Sequence, residues 1–216
     1  RGGRLQVYQS HPKIKARWPE GYSVKMGFGL HLGWAIEGAI GSSFKIDASY
    51  LSPNVNMASR LEAATKQFRT PLLMSHWLYD LLSPAAKARC RVLDCVTVKG
   101  SAEPMKLYTF DVTSYPPEMG EEMWNPEDEG VSLADFERDD IIPKMQAELP
   151  AGFLAKFNKA VEAYLDGRWP EAIAELDAVL VMKPGDGPAL ALKDVLARFD
   201  NKKPEGWRGF RELTEK

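Results

Sequence analysis

Apolar and polar residues alternate from Val24 to Leu30, with Val24, Met26 and Phe28 on one side and Lys25, Gly27 and Gly29 on the other. That period predicts a strand. A second strand is predicted over Ala35 to Ile40, ending at the turn composition Gly41-Ser42-Ser43. From Ser52 the period lengthens. Met57, Leu61, Ala64 and Phe68 recur at the spacing of a helix that buries one face. Ser52 suits the N-cap and Pro53 the first helical position. On a neighbouring face lie Asn56, Arg60, Ala63 and Gln67, so Asn56 and Arg60 project together from successive turns. An amide followed by a guanidinium near a helix start is a donor-rich cationic patch that suits an anion. The same spacing also fits a surface arginine beside a capping asparagine.

Further along, Pro71 to Ser75 reads as a short buried strand and His76 to Leu82 as a helix, with another helical turn opening at Ser83-Pro84. Arg91 to Val98 and Met105 to Val112 alternate as two strands joined by residues 99–104. Glycines 27, 29, 33 and 38 allow another backbone or a ligand to approach the first strands closely. The composition changes sharply at Thr113. Acidic residues such as Glu121, Glu122, Glu127, Asp128 and Glu129 far outnumber Arg138 and Lys144, and prolines 116, 117, 126, 143 and 150 interrupt the stretch, which reads as a linker. Helical periodicity resumes after Gly152. Ala160, Gly167, Trp169, Ala172, Leu176 and Pro184 resemble a tetratricopeptide repeat, whose unit is about 34 residues. The turn Asp166 to Pro170 would separate its two helices, Phe157, Tyr164, Leu176 and Leu180 would fill their seam, and Pro188 to Phe199 would follow as a covering helix. One such unit needs a neighbour to bury its faces. The expected neighbour is the strand-rich part of this chain or a partner.

Charge and composition narrow the classes. The net charge of −2 over 216 residues argues against a general nucleic-acid binder. No apolar run approaches the ~18 residues of a membrane span, and no signal-peptide pattern is present. The chain starts at Arg1 rather than Met, which reads as a piece of a longer protein. Cys90 and Cys95 match no zinc spacing and are read as reduced, intracellular thiols; His11, His31 and His76 are scattered and read as structural or exposed. Residues 1–22 are basic, with little regular structure expected around Pro12 and Pro19.

Three motifs in order carry a resemblance. Gly29-Leu30-His31-Leu32-Gly33, Val55-Asn56-Met57-Ala58-Ser59-Arg60 and Val98-Lys99-Gly100 closely resemble the GxHxG strand, the VNxASR helix and the late VKG loop of the class III nucleotidyl cyclase catalytic domain, over residues 24–112. The resemblance implies an α+β fold: a ferredoxin-like half-domain with a mostly antiparallel sheet, followed by the α-helical repeat hairpin. The expected organisation is a basic segment at 1–23, the C-terminal half of a cyclase domain at 24–112, the acidic linker at 113–150, the helical hairpin and its covering helix at 151–200, and a tail at 201–216.

The activity implied is formation of a 3′,5′-cyclic nucleotide and pyrophosphate from ATP or GTP. Arg60 would stabilise charge on the α-phosphate, Asn56 would orient the ribose, and Lys99 would hold the outer phosphates. Ser49 falls on the family's second purine-selecting position, where a hydroxyl favours ATP; a turn serine is the alternative. Family members use Mg2+ or Mn2+ on two upstream aspartates. No acidic residue precedes Glu20 here, so no metal ligand is assigned and the metals are expected to be held outside this chain. The family's head-to-tail pairing implies a second cyclase domain as partner, and without it the fragment is expected to be inactive. The repeat hairpin could take a protein partner. No nucleic acid and no membrane contact are expected from this segment, and the expected location is cytoplasmic, within a parent that is itself anchored to a membrane or built into a larger assembly such as a cilium. The competing reading is a cyclase-derived scaffold, catalytically incomplete, that serves as a docking subunit.

Overall fold

A computed structural model describes residues 11–22, 25–98, 103–113 and 141–213, with residues 141 and 142 described in their backbone alone. The expected linker falls largely on residues 114–140, outside that set, and so do Val24, Lys99 and Gly100. The basic segment is more regular than its prolines suggest. Pro12–Arg17 forms a short helix, α1, with Pro12 at its first turn.

The first strand, β1, is short, Phe28–Leu30. Strands β2 (Ile36–Gly41) and β3 (Ile46–Leu51) then form a separate antiparallel ribbon. Helix α2 follows at Pro53–Phe68. Ser52 caps it by accepting a hydrogen bond from Asn54 N, and Leu61, Ala64 and Phe68 of the expected apolar stripe are buried. The chain continues through β4 (Leu72–Ser75), the single turns α3 (His76–Tyr79) and α4 (Pro84–Lys87), and the paired strands β5 (Cys90–Val98) and β6 (Met105–Phe110). After α5 (Ile141–Met145) come three packed helices, α6 (Phe153–Leu165), α7 (Trp169–Met182) and α8 (Gly187–Ala197), and then a short strand, β7 (Arg211–Leu213).

The main sheet has the order β1-β4-β6-β5-β7 and is mixed, which corrects the expectation of a mostly antiparallel sheet. Strand β1 runs parallel to β4 because the connection between them crosses over through α2. Strands β4, β6 and β5 are antiparallel neighbours, and β7 returns parallel to β5 at the far edge.

One hydrophobic core joins the main sheet, α2 and the helices α6 to α8. Leu61 and Phe68 of α2 and Val96, Met105 and Leu107 of the sheet belong to the same cluster as Phe157, Tyr164, Trp169, Leu176 and Leu196 of the helices. Polar ties cross the same boundary. Val92 N on β5 donates to Asn158 Oδ1 on α6 at 3.1 Å; within the sheet, Arg211 Nε on β7 donates to Asp94 Oδ2 on β5 at 2.7 Å. Arg91, 1% exposed, reaches from β5 to Asp186, the N-cap of α8, and lies over the rings of Phe153 and Phe157. Helix α6 is therefore packed directly on β5, α8 lies against α2 with its cap tied to β5, and α7 packs on the two of them. The helical repeat itself remains a pattern of sequence.

Candidate active site

The site is organised by how closely α2 lies on β1. A Cβ at Gly29 would sit 2.2 Å from Ala58 O and 2.3 Å from Glu62 N, so any side chain there would push the helix off the strand. The glycines of this strand thus admit the protein's own helix. Helix α2 in turn carries Asn56, exposed, and Arg60, half-buried, one turn apart on one face, as their spacing predicts. Ser49 lies on β3, half-buried where every other residue of that strand is exposed, and pairs in register with Gly38. Because β3 runs straight into the cap of α2, the ribbon and the helix form one continuous unit. Lys99, the remaining expected contact, is outside the described residues.

The start of α2 is tied down by residues that spacing alone did not single out. Asn54 Nδ2 donates to Trp34 O at 2.9 Å, and Ser52 Oγ donates to the same carbonyl at 2.6 Å. His31, in the G-x-H-x-G segment, spans from Ser75 Oγ (2.9 Å) to Asn54 Oδ1 (3.2 Å). The available signal was a histidine between two glycines, followed by Asn directly after the Ser-Pro helix start. Beside it, His76 stacks at a tilt on Trp77. Burial lowers the His76 pKa from its ordinary value; Asp80 opposes that shift, and His31 and Lys106 add to it.

The described residues do not form a magnesium site. Among the described residues no three His, Cys, Asp or Glu side chains converge to hold a metal ion. Asp47 on β3 is exposed and paired with Lys45 at 2.9 Å. Magnesium needs convergent hard oxygen ligands, and the face of α2 that carries Asn56 and Arg60 offers an amide and a guanidinium instead. Nor is a cysteine nucleophile suggested. Both thiols are free, and burial pushes Cys90 up to about 11 and Cys95 in the same direction. Among the described residues no helix is long and apolar enough to cross a membrane.

Comparison with known proteins gives a consistent direction. Residues 4–112 match the family model for the adenylate and guanylate cyclase catalytic domain, so the match extends upstream of the motifs seen in the sequence. An adenylate cyclase of Anabaena cylindrica is 33% identical over 86 residues, covering 39% of this chain and 17% of that protein. A terminal-differentiation-specific adenylate cyclase of Dictyostelium discoideum is 30% identical over 87 residues, covering 40% of this chain and 4% of that protein. The chain thus spans a minor part of the length of these relatives. Among solved structures, a bacterial light-regulated adenylyl cyclase is similar at 28% identity over 50% of each chain, with a TM-score of 0.34. An adenylyl cyclase from P. aeruginosa is similar at 25% identity over 48% of this chain and 53% of that one, with a TM-score of 0.32. Superpositions at that level add nothing to the sequence match.

Proposed function

The chain belongs to the adenylate and guanylate cyclase catalytic domain family, and from that premise we propose that it supplies one side of a nucleotidyl cyclase active site. The observation that carries the reading is the placement of Asn56 and Arg60 on one face of α2, close to a helix start that is tied to Trp34 and, through His31, to Ser75 of β4. The reaction is attack of a ribose 3′-oxygen on the α-phosphorus of a nucleoside triphosphate. The new P–O bond forms as the bond to the β-phosphate oxygen breaks, pyrophosphate leaves, and the hydroxyl proton passes to solvent. Arg60 stabilises the charge that grows on the α-phosphate, Asn56 orients the ribose, and Lys99 holds the outer phosphates. ATP is the proposed substrate because a hydroxyl at Ser49 can pair with the adenine edge.

Since the described residues do not fit a magnesium site, no step assigned to this chain runs through a metal, and Mg2+ or Mn2+ is assigned to residues beyond them. The site is completed head-to-tail by a second cyclase domain that brings its own metal ligands. The helices α6 to α8 are read as a single tetratricopeptide-like unit that props the sheet from behind, with its outer face left for a protein partner. The test is substitution of Arg60. In a complemented pair, Arg60→Ala lowers turnover by about 10²-fold or more while nucleotide binding survives. Unchanged turnover contradicts the role given to Arg60.

A further inference from the structure

Asn56 and Arg60 both ride on α2, so the position of its first turn decides where they aim. That turn is fixed by a short chain of hydrogen bonds with a definite direction. Ser52 Oγ donates to Trp34 O at 2.6 Å and accepts from Asn54 N at 3.0 Å, using both functions of the hydroxyl. Asn54 Nδ2 donates to the same Trp34 carbonyl at 2.9 Å. With its amide nitrogen so committed, Asn54 presents Oδ1 to His31 Nε2 at 3.2 Å, and an amide oxygen can only accept. Nε2 of His31 therefore carries the proton. The other ring nitrogen, Nδ1, faces Ser75 Oγ at 2.9 Å, and Ser75 is fully buried at the end of β4. A neutral ring accepts from that hydroxyl. Trp77 stands edge-on to the imidazole at 5.3 Å and limits its tilt. Asn54 itself is closely held, since a Cβ at Gly33 would lie 2.1 Å from its Cγ. The ring spans the gap between the sheet and the helix start, linking a buried residue of β4 to the second residue of α2.

We propose that His31 is a positioning residue for the cyclisation: through Asn54 it fixes the first turn of α2 and so the aim of Asn56 and Arg60. The proposal rests on the cyclase reading for its catalytic half. Its structural half stands without it, which lets the two be separated. Displacement of charge-stabilising groups by about 1 Å can cost ~10²-fold in rate without loss of binding. A histidine that merely stabilised the fold would loosen the whole domain when removed. A brace on one helix end loosens that end alone.

The experiment uses residues 1–216 and two variants. His31→Ala removes the span. Gly33→Ala, on an exposed connection, forces Asn54 aside while the ring stays in place, so it serves also where His31→Ala folds poorly. Amide hydrogen exchange is the first readout and needs no activity. The amides of Asn54 to Met57 should exchange at least about 10-fold faster in each variant, with those of β5 and β6 unchanged. Equal acceleration everywhere, or none, overturns the proposal. The second readout is steady-state kinetics after a second cyclase domain is added. The turnover number should fall at least about 10-fold with KM for ATP within about twofold. His31→Gln, whose amide can still donate to Asn54, should recover most of the loss. Selective exchange with unchanged turnover leaves a brace without a catalytic role and overturns the positioning claim. Absence of product from the unmodified pair overturns the cyclase reading and the catalytic half with it, while the exchange result still decides the brace.

Discussion

Arg91 and Asp186 meet in a two-pronged ion pair, Nη1 to Oδ2 at 2.9 Å and Nη2 to Oδ1 at 3.0 Å, that joins β5 to the cap of α8. Both side chains are 1% exposed. The guanidinium also donates to Asp111 at 2.7 Å, and the Asp186 carboxylate accepts from Ala189 N at 3.0 Å. Planar, bidentate pairing of this kind is geometrically specific, and so it fixes the register of the helices on the sheet. Removing Asp186 leaves the buried guanidinium with Asp111 alone of these two carboxylates. Asp186→Asn is expected to cost about 2 kcal/mol or more, read from urea unfolding at neutral pH, whereas an exposed pair would cost under about 1 kcal/mol. A loss within the range of an exposed pair would mean the charges are not buried together.

The same carboxylate sets a pH dependence. Burial would raise its pKa, but hydrogen bonds and charge from Arg91 outweigh burial and hold it below the usual carboxylate value. A group depressed in the folded state contributes stability that is present above its unfolded pKa and is lost as pH falls through its folded pKa. Stability of the unmodified chain should therefore decline on acidification below the usual carboxylate range. The acid limb should be shallower in Asp186→Asn. Parallel acid limbs in the two proteins would contradict this assignment.

His76 adds a second, milder slope. Its lowered pKa, set by burial, means the unfolded chain binds a proton that the folded one resists. Stability contributed by the neutral imidazole is thus present at and above neutral pH and falls as pH drops below about 6.5, its ordinary value. Thermal unfolding of His76→Gln between pH 7.5 and 5.5 should show less of that decline than the unmodified chain. An identical decline would place the titration elsewhere.

The start of α2 could be read from its residues because capping and periodicity are local. Ser52, Pro53 and the stripe Leu61, Ala64, Phe68 state the helix in consecutive residues. Strand β3 left no such trace: the ribbon it forms with β2 is exposed on both faces apart from Ser49, so no buried side imprints an alternation. Its hairpin partner β2 was read as a strand over Ala35 to Ile40, with the turn at Gly41 to Ser43 marking its end, and it forms at Ile36–Gly41. Strand β7 is three residues long, too short for any period, and its parallel pairing with β5 rests on packing and on Arg211 with Asp94. The Arg91 and Asp186 pair joins residues far apart in the chain and has no signature at either end, and the His31 bridge is marked only by a histidine between two glycines and an Asn after the Ser-Pro helix start. Of the site, the shared face of Asn56 and Arg60 was legible from spacing, while what aims that face was not.

Close packing of α2 on β1 yields a direct prediction at Gly29. A methyl group there meets backbone atoms at 2.2 and 2.3 Å, which cannot give way as a flexible side chain would. Gly29→Ala should destabilise by roughly 1–3 kcal/mol, the usual cost of overpacking. It should also shift the amide resonances along α2 well beyond those of α6. Unfolding at an unchanged urea midpoint would show that the helix is not seated as described.

Ser49 tests the choice of base. A serine hydroxyl can accept from the adenine amino group or donate to a ring nitrogen, and a thiol does either weakly. In a complemented pair Ser49→Cys should reduce the ratio of kcat/KM for ATP over GTP, with turnover on the better nucleotide little changed. A ratio unaffected by the substitution, or cyclic GMP as the product of the unmodified pair, would contradict the role given to Ser49.

The central claim is that this chain contributes the Asn56 and Arg60 side of a cyclase site shared with a second domain. Its most direct test is cyclic nucleotide formation by residues 1–216 alone, by a cyclase domain that keeps its metal-binding aspartates but lacks its own arginine, by the two mixed, and by the mixture with Arg60→Ala. The account predicts no product from either component alone, product from the mixture, and a loss of about 10²-fold when Arg60 is removed. Robust product from residues 1–216 alone would contradict it by placing the metal ligands within this chain, and a mixture equally active without Arg60 would contradict it in favour of the scaffold reading.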